Sequence, residues 1–117
     1  MNNSVVLAKS LDFAIRIVLL YKCLNNDKRE FIMSKQLLKS GTSVGANLRE
    51  AKYAQSRNDF ISKNSIALKE IAETQYWLEL LHKTDYLGLQ EYESINVDCD
   101  ELIKMLTSIV KSSKDCN

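Results

Sequence analysis

Apolar residues recur along this chain at alternating steps of three and four, the spacing of one face of an α-helix. The stretch that organises the rest is Leu37, Gly41, Val44, Leu48 and Ala51, with Gly41 and Gly45 on a neighbouring line. Upstream, Val6, Phe13, Ile17, Leu20 and Leu24 make one seam and Leu7, Leu11, Ala14, Val18 and Tyr21 a second. Downstream come Phe60, Asn64, Ala67, Ile71, Thr74, Leu78 and Leu81, then Ile95, Cys99, Leu102, Leu106 and Ile109. Four helices follow from this pattern.

Their ends are read from caps and turns. The first runs from about Ser4, a candidate cap, to Leu24, and stops in the polar turn Asn25–Glu30. The second starts at Met33 or Ser34, with Ser34 as a cap, and reaches about Ala54. Ser56 or Asn58 caps the third, which ends near Lys83. Gly88 supplies a positive φ in the turn that follows, and the fourth helix frays over Lys111–Asn117.

A glycine inside a helix costs about 1 kcal/mol relative to alanine, so Gly41 and Gly45 imply a gain from bare backbone, namely close helix contact. The competing reading ends one helix at Gly41 and starts another after it. The chain has no proline, and the seam runs unbroken across both glycines, which favours one helix. The first helix poses a different problem. Its two seams leave only a narrow polar line through Lys9, Asp12, Arg16 and Cys23, too apolar for the outside of a small monomer, so part of it should be covered by another subunit.

Composition agrees with the pattern. With 117 residues, 45% of them hydrophobic, three glycines and no proline, residues 1–117 make a single all-α domain. Segments of about 20 residues joined by short turns describe an up-down-up-down antiparallel four-helix bundle. No apolar run approaches the roughly 20 residues that span a bilayer. Three unpaired cysteines, Cys23, Cys99 and Cys116, and the lack of a signal-peptide pattern suit a reducing cytoplasm.

The formal charge of +1 predicts neither nucleic-acid nor membrane binding. Its distribution adds something: residues 1–69 carry 12 basic and 5 acidic side chains, and residues 70–101 carry 1 and 9. In an up-down bundle the acids Glu79, Asp85, Glu91 and Glu93 gather at one end. Arg49, Lys52, Arg57 and Lys63, with Lys111 and Lys114, gather at the other. Repeated around a cyclic oligomer, that second end becomes a basic rim able to dock an acidic partner or a nucleic-acid backbone. Only Tyr53 and Phe60 interleave it, so a solvated polar face is the simpler reading.

Candidate chemistry is sparse. Glu79-Leu-Leu-His82 has the Glu-x-x-His spacing of a di-iron bundle and supports an alternative reading as a metal-carboxylate enzyme. The motif occurs once, however, and His82 is the only histidine. Asn47, Glu50, Glu70 and Glu73, with Lys69 and Tyr76, are placed to form a polar network between the second and third helices, fixing register or a subunit interface. Tyr76 and Trp77 suit an interface or the core. Thr42 and Ser43 have no histidine base nearby, and no glycine loop cradles a phosphate. No catalytic residue, cofactor, resident metal or small-molecule substrate is expected.

Ser34-Lys-Gln-Leu-Leu-Lys-Ser-Gly-Thr-Ser-Val-Gly-Ala-Asn-Leu-Arg-Glu-Ala51, Asp59-Phe-Ile-Ser-Lys63, Ala67-Leu-Lys-Glu70 and Glu73-Thr-Gln-Tyr-Trp-Leu78 resemble the bacterial four-helix-bundle proteins named for open reading frames in 23S rRNA intervening sequences. Ile71-Ala72 stands where many relatives carry Ala-Asn. The resemblance spans nearly the whole chain and implies a four-helix bundle assembled as a homopentamer. It also implies similarity to the accessory variability determinant of diversity-generating retroelements, a pentameric barrel that works with a reverse transcriptase and nucleic acid. Those accessory proteins are strongly basic, whereas this chain is not. Despite the family's name, no residue implies a role in the ribosome.

Overall fold

The computed structural model describes residues 4–115, and each predicted seam lies on a helix there. The helices are α1 (Ser4–Asn26), α2 (Met33–Ala51), α3 (Arg57–Lys83) and α4 (Leu89–Asp115). Cross-helix contacts set the direction of each. Gly41 lies against Ile17 and Gly45 against Ser10, Ser40 meets Thr74, and Lys63 meets Glu50. Gln75 meets Asn96 and Asp100, and Arg16 meets Asp98. Low numbers pair with high ones throughout, so neighbours are antiparallel and the bundle runs up-down-up-down, with α1 beside α2 and α4.

The core is the sum of the inward seams. Ile17, Leu37, Val44, Ile71, Leu78, Leu81, Ile95 and Leu106 are fully shut off from solvent, each worth about 1.5–3 kcal/mol of burial. Asn64 and Thr74 sit on the α3 seam and are buried with their polar atoms bonded to the preceding turn, Asn64 Nδ2 to the Phe60 carbonyl at 2.8 Å and Thr74 Oγ1 to that of Glu70 at 2.8 Å. The bonds reconcile polar side chains with an apolar interior.

The glycine-bearing helix is continuous from Met33 to Ala51, so the two-helix reading around Gly41 falls. A Cβ added at Gly41 would stand 2.8 Å from Ile17 Cγ2 and 2.9 Å from Cγ1, distances that force atoms to move. At Gly45 it would meet Ser10 Oγ at 3.4 Å, an ordinary contact. Only the first glycine is required by the close approach of α1.

Several ends differ from expectation. Helix α2 stops at Ala51 rather than Ala54, and α4 stays helical through Asp115 instead of fraying from Lys111; Asn117 and Cys116 lie outside the described residues. Ser56 caps α3 as expected, accepting from the Asp59 N–H at 3.0 Å. Ser34 does not cap α2. The cap is Glu30, whose carboxylate accepts the N–H groups of Ile32, Met33 and Ser34 at 3.2, 3.1 and 2.7 Å. Ser34 instead donates back to the Glu30 carbonyl at 2.8 Å and accepts from Asn25 Nδ2 at 3.0 Å. No glycine takes a positive φ: among the described residues the left-handed positions are Arg29 (58°) and Asp85 (70°). At Asp85 the chain closes a Schellman turn, with Tyr86 N–H on the Leu81 carbonyl and Asp85 N–H on that of His82.

Burial pushes the Glu30 carboxyl up, but the hydrogen bonds from Ser34, Met33 and Ile32 outweigh it and leave the group below the usual glutamate value of 4.5. A carboxyl lowered by folding stabilises the native state fully above its unfolded value, and that contribution is lost as pH falls through the folded one. Glu30→Ala is expected to lower stability by about 1–2 kcal/mol at neutral pH. Urea midpoints of parent and variant should converge as pH falls below the usual glutamate value.

The glycines give a second test. Gly41→Ala should destabilise, since overpacking at about 1–3 kcal/mol outweighs about 1 kcal/mol of regained helix propensity. Gly45→Ala should be neutral or stabilising by up to about 1 kcal/mol. Thermal unfolding of both variants would show the opposite signs.

Candidate functional site

Helix α1 has three kinds of face. Val6, Phe13, Ile17, Leu20 and Leu24 enter the core. The second apolar seam stays largely outside: Leu11 is 51% exposed, and its neighbours Ile15 and Leu19 are 52% and 60% exposed, while Leu7, Ala14, Val18 and Tyr21 are half-buried. Where α1 meets α2 at Gly45, a groove of about 270 Å³ opens between Leu7 and Leu11 on one side and Thr42, Ala46 and Arg49 on the other. The single chain therefore leaves this outer row of α1 in contact with solvent.

The narrow polar line is the third face, and it turns toward α4. Arg16 donates to Asp98 Oδ2 at 2.9 Å and to Ser94 Oγ at 2.9 Å, and lies 3.9 Å from Glu91. Lys9 reaches Glu101 at 3.6 Å. These partners escaped the sequence reading. A lone arginine between two apolar seams was the available signal, but which acids lay opposite depended on the packing of α4.

The expected network between α2 and α3 separates into smaller pieces. Glu50 pairs with Lys63 at 2.8 Å, while Asn47 bonds its own helix through the Ser43 carbonyl at 2.8 Å. Trp77 Nε1 donates to Glu73 at 3.0 Å, and Tyr76 meets the Trp77 ring edge-on at 5.0 Å. Glu70 is raised by partial burial, then by the like charge of Glu73, with Lys39 opposing. The buried hydroxyls of Ser40 and Thr74, 2.9 Å apart, join the two helices instead. Val44, Leu48 and Gly41 are buried inside the bundle, so they serve contacts within one chain. Tyr76 is 56% exposed and Trp77 half-buried.

The antiparallel order brings the C-terminal ends of α2 and α4 to the end where α3 begins, as the basic rim requires. Arg49, Lys52, Lys111 and Lys114 are exposed there, Lys52 with its ammonium 5.7 Å from the Tyr53 ring. Arg57 opens α3 at the same end. Lys63 is already neutralised by Glu50. Beside them Val6, Leu48, Ala51, Phe60 and Asn64 line a cavity of about 280 Å³. At the opposite end the acids Glu79, Asp85, Glu91 and Glu93 share the surface with Lys22, Lys28, Arg29 and Lys35, because the α1–α2 turn lies there too. The acidic end is thus divided: basic on the α1/α2 side, acidic on the α3/α4 side.

His82 is not a loose surface residue. Its ring stacks on Tyr92 at 4.6 Å and 5°, and Nδ1 lies 2.8 Å from the Leu87 carbonyl; a carbonyl only accepts, so Nδ1 carries a proton. Among the described residues no group of three or more His, Cys, Asp and Glu side chains is placed to hold a metal ion. Cys99 is buried, and that burial, with Asp98 and Asp100 beside it, pushes its thiol up to about 12; Cys23 is exposed. No helix of the described residues is long and apolar enough to cross a membrane.

Comparison with known proteins adds a family and a fold. The family model described as 23S rRNA-intervening sequence protein matches residues 2–108. A solved structure from Bacteroides thetaiotaomicron, a protein of unknown function from the S23 ribosomal protein family, is similar at 61% identity. The match covers 95% of this chain and 99% of that one, with a TM-score of 0.93. No curated protein matches.

The His82 contacts are separable. His82→Phe keeps a ring over Tyr92 but removes the bond to Leu87, and should cost about 1 kcal/mol. His82→Ala removes both and should cost measurably more. Urea unfolding of the two variants against the parent checks the order.

Proposed function

The chain belongs to the 23S rRNA-intervening sequence protein family, and on that footing we propose that it is a non-enzymatic, homo-oligomeric accessory protein of the cytoplasm. The observation that carries this reading is the apolar row on α1, with Leu11, Ile15 and Leu19 each more than half exposed in the single chain. Such a row costs solubility unless another surface covers it. The family resemblance supports a copy number of five.

In a ring every copy points the same way along the axis, so Arg49, Lys52, Lys111 and Lys114 recur as one basic rim. The rim docks the phosphate backbone of a nucleic acid. This electrostatic attraction needs no catalytic group.

Light scattering should give an integral multiple of 13.4 kDa; a stable monomer at micromolar concentration overturns the oligomer. RNA and DNA binding should weaken steeply with salt, and the triple variant Lys52→Glu, Lys111→Glu, Lys114→Glu should bind more weakly, with the salt slope reduced by about one per lysine. No binding by the parent, or equal binding by both proteins, removes nucleic acid from the rim. Retained binding to an acidic protein would then reassign it.

A further inference from the structure

The outer row of α1 has a counterpart on the far side of the same bundle. Between α3 and α4 runs an open groove of about 330 Å³, lined by Ala72, Gln75, Tyr76, Glu79, Tyr92 and Asn96. Its lining combines one small residue, two tyrosines and a carboxylate. Tyr76 stands 56% exposed beside it.

The two features lie at matching heights. Ile17 packs on Gly41, and the adjacent Ser40 bonds Thr74, so Ile17 and Thr74 are level along the bundle. Since α1 and α3 run the same way with the same rise per residue, Ile15 is level with Ala72, Leu19 with Tyr76 and Lys22 with Glu79. Copies related by rotation about an axis parallel to the helices share one height, so each α1 residue can face its level partner on the next copy.

Charge selects the same pairing. The outer sides of α1 and α2 expose Lys22, Lys35, Lys39 and Arg49 against the acids Asp12 and Glu50, whereas the α3/α4 side exposes Glu73, Glu79, Glu93 and Asp100 against Lys69, Lys83 and Lys104, so basic groups prevail on the first and acids on the second. Joining two α1/α2 faces about a two-fold axis would set basic against basic. Joining one to the α3/α4 face of the next copy sets basic against acidic.

We propose that Ile15, Leu19 and Lys22 on α1 of one copy seat in the α3/α4 groove of the next against Ala72, Tyr76 and Glu79, so that copies associate head to tail. The pairing rests on the oligomeric reading above and gives it its interface. Leu19 supplies the apolar anchor against the Tyr76 ring, and Lys22 pairs with Glu79 at the rim.

A mixing experiment tests this. Leu19→Asp spoils only the α1 face, and Tyr76→Asp only the groove; both positions are exposed in the single chain, and circular dichroism should show parental helicity. Each variant alone should run as a monomer of 13.4 kDa, its assembly weakened by about thirtyfold or more, as expected for a lost interface anchor. Mixed together they retain one good face each and should form a 1:1 dimer that grows no further. If Tyr76→Asp assembles like the parent, or the mixture yields no dimer while the parent is oligomeric, the head-to-tail pairing is overturned and the oligomer stands. A monomeric parent overturns both.

Discussion

Ile17 against the bare backbone of Gly41 is the contact on which the rest of the bundle depends. It draws α1 tightly onto α2, with Ser10 following against Gly45 one turn further along. Having leaned on α2, α1 has only slight contact with α4. The gap between them is crossed by the two longest side chains of the polar line, Arg16 and Lys9, reaching acids on α4. Exposed ion pairs contribute little in water, and beneath these charges the buried Phe13 and Leu102 line the groove between the two helices. The same lean leaves the outer row of α1 with nothing of its own chain to cover it.

Turns show how the chain satisfies helix ends without the residues usually used for the purpose. Glu30, from the α1–α2 connection, takes up three N–H groups at the start of α2, where a serine hydroxyl would accept one. Arg29 and Asp85 adopt left-handed backbone at a cost of about 1–2 kcal/mol each relative to glycine-like freedom. Their hydrogen bonds offset that cost: Glu30 N–H reaches the Leu24 carbonyl beyond Arg29, and Tyr86 N–H reaches Leu81 beyond Asp85. His82 then ties the second turn to α4 through Leu87 and Tyr92.

The charge pattern gains meaning only once the helices are placed. Blocks that alternate along the chain suggest an axial dipole, and one end is indeed basic. The other end is not uniformly acidic, because the first turn returns Lys28 and Arg29 to it. What results at that end is an asymmetry across the bundle, between the α1/α2 and α3/α4 sides, which is the asymmetry a head-to-tail contact can use.

The sequence by itself determined the number of helices, their inward seams, the cap at Ser56 and the excess apolar surface of α1, since each is a local property of spacing and side-chain type. It also marked the family, through the block around Gly41 and the stretch from Ala67 to Leu78. Only the tertiary structure decided which glycine needs the absence of a side chain, because that rests on where Ile17 points from another helix. It likewise decided that Glu30 rather than Ser34 caps α2, that Asn47, Glu50, Glu70 and Glu73 divide among separate partners, and that Arg16 meets Asp98. A carboxylate's partner is set by which group lies within about 3 Å across a packed interface, and periodicity along one helix carries no information about the rotation and height of its neighbour.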